Sequence, residues 1–63
     1  MINLSVIRSM RRMTQVQLSQ KTGITQETIS LYENEKQKPL PENLLKIASA
    51  LECTVEELFT KEG

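Results

Sequence analysis

Between Thr14 and Asn34 the chain reads TQVQLSQKTGITQETISLYEN, two short amphipathic helical patterns separated by a single glycine. Thr14 is a good N-cap, and Gln17 three residues on completes a capping box, in which side chain and backbone satisfy each other's unpaired groups. The helix it starts runs to about Lys21, with Val16 and Leu18 as its apolar positions. Gly23 stops it, because only glycine enters the left-handed backbone region at little cost. Ile24 is an apolar plug in the turn. Thr25 caps the next helix, which carries Ile29 and Tyr32 inward at a three-residue spacing. With almost no chain between them, the two helices must act as one unit.

The flanks extend this pattern without a strand, a linker or an internal repeat. A first helix over about residues 3–12 places Leu4, Ile7, Met10 and Val6 on one broad face. After Asn34 comes a polar loop, Glu35-Lys36-Gln37-Lys38, closed by Pro39. Pro41 suits the first turn of a fourth helix, where its missing donor would be unpaired anyway. Leu44, Leu45, Ile47, Ala48 and Leu51 form the apolar stripe of that helix. Thr54 with Glu57 makes a second capping box, and a fifth helix with Val55, Leu58 and Phe59 is expected after it. The fold class read from this pattern is all-α: five short helices in a compact globule, residues 1–63 forming one domain. Leu4, Ile7, Leu18, Ile24, Ile29, Leu44, Ile47, Ala48, Leu51 and Leu58 are its expected core. Tyr32 packs beneath the third helix with its hydroxyl near the surface, and Met10 and Met13 fill gaps.

Composition narrows the chemistry. A chain of 63 residues buries about 60% of the surface its unfolded form exposes, so no long cleft can be built. There is no histidine, no glycine-rich phosphate loop and no nucleophile beside a base, which argues against an enzyme. A single cysteine, Cys53, excludes an internal disulfide and a cysteine-based zinc site, and no metal or other cofactor is expected. Cys53 reads as a small buried hydrophobe. A lone thiol without a secretory leader fits a reducing cytoplasm, and no apolar run reaches the roughly 20 residues of a membrane span. Net charge is zero but unevenly spread. Residues 1–26 hold Arg8, Arg11, Arg12 and Lys21 with no acid, whereas residues 27–63 hold four lysines against eight acids. Such a dipole can present one positive face to phosphates, although solubilising surface charge accounts for it as well on charge alone.

Helix, minimal turn, helix is the arrangement in which a second helix enters the DNA major groove while the first braces it on the backbone. The order and spacing of Thr14-Gln15, Leu18, Lys21 before Gly23, Ile24-Thr25, Thr28-Ile29-Ser30 and Tyr32-Glu33-Asn34 resemble the lambda-repressor-like helix-turn-helix family, with the motif at about residues 14–33. That family includes phage repressors, Cro proteins and small xenobiotic-response-element-type bacterial regulators. Leu44-Leu45-Lys46-Ile47-Ala48 and Glu57-Leu58-Phe59 are similar to its last two helices. The chain departs from the family at three helix ends, where Arg12, Glu35 and Glu52 stand at positions often held by glycine. If the left-handed conformation is kept there, each costs on the order of 1 kcal/mol.

The exposed face of the third helix should carry Gln26, Glu27, Ser30 and Leu31, with Thr25 at its tip. The resemblance implies base reading by Gln26, Glu27 and Leu31. Glutamine can bond bidentately to adenine, a carboxylate accepts from cytosine N4, and leucine offers apolar contact to a thymine methyl. The resemblance also makes Gln15 a phosphate ligand, at a helix start whose free amides favour an anion. Asn34, Lys36, Gln37 and Lys38 follow the third helix and can reach further phosphates, with Arg11 and Arg12 adding to the field. Arg8 and Glu33 match a family pair that bridges helix 1 to the end of helix 3, aligning Arg8 beside the DNA backbone. The end of the fourth helix and the fifth form the two-fold contact in many relatives, which implies a homodimer through Leu51, Cys53, Val55 and Phe59.

The leading expectation is a sequence-specific transcriptional regulator, a repressor bound as a dimer to double-stranded DNA at a symmetric operator, with no small-molecule ligand evident. The competing expectation is a protein-interaction module, an antitoxin-like or anti-regulator subunit that kept the fold; neutral net charge, Glu27 and Leu31 favour it.

Overall fold

The computed structural model describes residues 2–59. Among them are four α-helices, α1 (Leu4–Met10), α2 (Gln15–Thr22), α3 (Gln26–Glu33) and α4 (Pro41–Leu51), and one 3-10 turn, Glu56–Leu58. The α2–α3 pair begins as the sequence dictates. Thr14 Oγ1 accepts from the Gln17 amide at 3.0 Å while Gln17 Oε1 accepts from the Thr14 amide at 2.9 Å. Gly23 adopts φ +80° and closes α2. Thr25 Oγ1 then accepts from the Thr28 amide to open α3. Pro41 occupies the first turn of α4.

α2 packs against both α3 and α4, and α1 against α3. The core they enclose is Leu4, Ile7, Leu18, Ile24, Ile29, Tyr32, Ile47, Ala48, Leu51 and Leu58. Each large aliphatic member contributes about 1.5–3 kcal/mol through removal from water. Tyr32 is fully enclosed, its hydroxyl accepting from Asn43 Nδ2 at 2.8 Å, so its polar atom is partnered inside rather than in solvent. Leu44 is only half-buried against this core. Four residues assigned above to apolar faces point outward instead: Val6, Met10, Val16 and Leu45 are all exposed. In helices of seven to eleven residues the apolar positions span little more than two turns, and periodicity cannot say which edge of the stripe reaches the core.

The expected fifth helix is a correction. The Thr54–Glu57 box forms both of its bonds, at 2.8 and 3.1 Å. Yet only a 3-10 turn follows, because Phe59 turns to an extended backbone (φ −115°, ψ 128°). There it pairs with Ile2 in an isolated antiparallel bridge, and the Asn3 amide donates to the Leu58 carbonyl at 2.6 Å. The chain gives up helical bonds after Leu58 for bonds to the segment before α1, which keeps Leu58 fully buried.

Three helix ends share one construction. Arg12, Glu35 and Glu52 all adopt left-handed φ values of 55–56°. At each, two backbone amides fold back on the last turn: Met13 to Arg8 and Arg12 to Ser9, Lys36 to Leu31 and Glu35 to Tyr32, Cys53 to Ala48 and Glu52 to Ser49. These are Schellman motifs. The helix ends are not rebuilt to avoid the strain, so the protein carries it three times.

Candidate nucleic-acid interface

α3 presents its outer face as a direct result of where Ile29 and Tyr32 go. With those two buried, Gln26 and Glu27 stand exposed on the first turn, and Ser30 and Leu31 lie half-buried one turn on. Thr25 is exposed but its hydroxyl is committed to capping: it accepts from the Thr28 amide and donates to Thr28 Oγ1 at 2.8 Å. Thus the five residues expected to read bases do occupy one end and one face of α3, with Glu27 the member whose side chain has no partner among the described residues.

Beneath this face lies a hydrogen-bonded brace. Glu33, its side chain 7% exposed, accepts from Arg8 Nε at 2.7 Å and Arg8 Nη2 at 3.2 Å. Arg8 Nη1 donates to the Met13 carbonyl at 2.8 Å, just ahead of the α2 cap. A planar guanidinium meeting a carboxylate side-on is a well-oriented pairing, and here it ties α1, the start of α2 and the end of α3 together. Arg8 is therefore largely enclosed in the brace rather than free beside the DNA backbone. Gln15 joins the same carboxylate: its Nε2 donates to Glu33 Oε1 at 2.9 Å, and its Oε1 accepts weakly from Gln26 Nε2 at 3.4 Å.

The loop after α3 continues the surface. Asn34 Nδ2 donates to the Ser30 carbonyl at 2.9 Å, which fixes Asn34 against the helix it ends. Lys36, Gln37 and Lys38 are exposed, and the left-handed Glu35 puts a carboxylate among them. Arg12 is exposed and lines a groove of about 330 Å³ with Arg11, Met13, Gln17, Gln20 and Lys21, three cations without an acid. Arg11, expected to add to the field toward DNA, also serves the fold. Its Nε donates to the Leu51 carbonyl at 2.8 Å, stabilising the negative end of α4.

A helix-turn-helix family model matches residues 7–58, most of the chain. The chain belongs to the Cro/C1-type helix-turn-helix family. No curated protein matches it. As a Cro/C1-type protein it is a DNA-binding regulator, and α2 and α3, joined at Gly23, lie within the matched residues. No helix among the described residues of this Cro/C1-type regulator is long and apolar enough to cross a membrane.

The expected dimer residues fall unequally in this Cro/C1-type fold. Leu51 is fully buried in the core and has no surface to offer a partner, which corrects its assignment. Cys53 and Val55 are half-buried and pack on the core, while Phe59 is 39% exposed. Phe59 borders a cleft of about 350 Å³ with Ile2, Tyr32, Pro39 and the stems of Glu35, Gln37 and Lys38. Burial, then the Glu57 charge, push the Cys53 thiol above its ordinary pKa, against a smaller opposing effect of Arg11. It is held as a neutral thiol, the inert state for a cysteine.

Sequence reasoning misses two contacts that shape this surface, Gln15 with Glu33 and Arg11 with the end of α4. Both join residues at least 18 positions apart through side chains at helix ends, and no local pattern marks them.

Proposed function

We propose that this regulator binds a two-fold symmetric operator as a homodimer and represses transcription by occluding polymerase. The observation that carries the reading is the exposed first turn of α3, Gln26 and Glu27, held on a braced scaffold with Glu27 unpartnered among the described residues. Gln26 suits an adenine edge, Glu27 a cytosine amino group and Leu31 a thymine methyl, with Thr25 and Ser30 flanking them. Gln15, Asn34, Lys36, Gln37, Lys38 and Arg12 surround that turn as backbone ligands, supported electrostatically by Arg8 and Arg11. Glu27 gains specificity at a cost in affinity, since it repels nearby phosphates. The two-fold contact we assign to Phe59 with the exposed parts of Cys53 and Val55. It would set half-sites about one helical turn apart.

Selection of bound duplexes from a random pool tests this reading directly. A palindromic consensus is expected, and Glu27→Gln should change the preferred base at one position per half-site. Unchanged preference at every position removes Glu27 from base reading, and failure to enrich any sequence favours the protein-interaction alternative. If about four phosphates are neutralised per half-site, the log–log salt slope should be about −3.6 per half-site. A flat salt response contradicts this mode of binding.

A further inference from the structure

The Glu33 carboxylate does more than anchor Arg8. An anion this near a DNA-facing surface would by itself oppose phosphate, yet it is enclosed, and one of its oxygens is shared between Arg8 Nη2 and Gln15 Nε2. A carboxylate accepts hydrogen bonds and cannot donate them when ionised, so only the nitrogen end of the Gln15 amide can face it. This fixes which way round the amide lies. Its oxygen is turned toward Gln26 Nε2, and the second Nε2 hydrogen has no acceptor among the described residues. Gln15 is itself the first residue of α2, whose leading amides have no acceptor within the helix.

We propose that Glu33 is a positioning residue for DNA binding: clamped by Arg8, it sets the Gln15 amide so that an N–H is offered to a backbone phosphate. The end of α3 thereby determines the backbone contact made at the start of α2, and the recognition helix and its anchor are placed by one carboxylate. The inference rests on Gln15 being a phosphate ligand, as proposed above. Glu33 itself touches no DNA.

The sign of the effect separates positioning from charge. Replacing Glu33 by glutamine removes a negative charge and frees Arg8, and both changes on their own should tighten binding. Loss of a positioned charge-directed donor should weaken it instead, roughly tenfold. The test is a double-mutant cycle on a short duplex of mixed sequence, because phosphate contacts are independent of sequence. Wild type, Glu33→Gln, Gln15→Ala and the double variant are titrated at one salt concentration, with circular dichroism verifying that each is folded. The expected result is weaker binding by Glu33→Gln and by Gln15→Ala singly, with Glu33→Gln neutral or tightening once Gln15 is alanine. Equal weakening in both backgrounds, or tighter binding by Glu33→Gln alone, overturns the inference while leaving Gln15 as a ligand. No effect of Gln15→Ala overturns the phosphate reading and this inference with it. Should Glu33→Gln fail to fold, the wild-type protein still decides. Before DNA is added, the Gln15 side-chain amide proton held on the Glu33 carboxylate should lie downfield of the range of exposed glutamines, and its partner proton should move on titration. Both protons at exposed-glutamine positions in the free protein refute the positioning.

Discussion

Glu52→Gly should stabilise the fold even though it deletes a side chain. Glu52 caps α4 at φ 56° and ψ 49°, a conformation in which its Cβ crowds the neighbouring carbonyl. That crowding costs about 1–2 kcal/mol for a residue with a Cβ. Glycine is free of it but has more unfolded-state freedom to lose, a cost of about 0.5–1 kcal/mol. The difference is a net gain of about 0.5–1 kcal/mol, which for a domain of this size raises Tm by about 2–8 °C. Glu52 also places a negative charge at the negative end of α4, so Glu52→Ala is the necessary control: it removes the charge and keeps the Cβ. Thermal unfolding followed by circular dichroism, with urea titration as a second measure, should rank glycine above alanine and alanine near or slightly above wild type. Alanine equal to or better than glycine would refute the strain argument and assign any gain to charge. The mirror experiment is Gly23→Ala, at φ +80° with no atom within 4 Å of the added Cβ. It should cost about 0.5–1 kcal/mol through backbone conformation alone.

Three further outcomes follow from contacts described above. Arg8→Met leaves the enclosed Glu33 carboxylate without its partner and should destabilise by about 3 kcal/mol, read by urea unfolding; a loss under about 0.5 kcal/mol would mean the pair is effectively solvated. Thr14→Ala removes the acceptor for the Gln17 amide and should cost about 1 kcal/mol, with no loss if the box is decorative. Because its pKa is raised in the folded state, Cys53 keeps its proton to higher pH than an unfolded thiol. Alkylation of the native protein near pH 8 should therefore be slower than that of the urea-unfolded chain, and equal or faster native labelling would contradict that environment.

Much of the scaffold is legible because its signals are local. Thr14 with Gln17, Gly23 and Thr25 each fix a helix end through their own neighbours, and they place α2 and α3 to within a residue. The three left-handed ends can be located by comparing Arg12, Glu35 and Glu52 with a family that uses glycine there, and the backbone retains that conformation at all three. The Arg8–Glu33 bridge is legible through the same resemblance. What escapes the sequence depends on competition between distant segments. A capping box marks where a helix can start and not how far it runs, so Thr54 and Glu57 cannot reveal that Phe59 leaves to pair with Ile2. Leu51 reads as both core and interface because its stripe lies between the two, and only packing shows that it is fully enclosed. Arg11 looks like a surface cation until α4 ends beside it.

The Ile2–Phe59 pairing sets the two extremities of the described chain side by side, one strand spacing apart. Cargo fused at either extremity would consequently leave from the same spot on the molecule. A short flexible tether could also join them into a ring without displacing a helix. Such a ring would hold the Asn3–Leu58 hydrogen bond closed by covalent connection as well as by pairing.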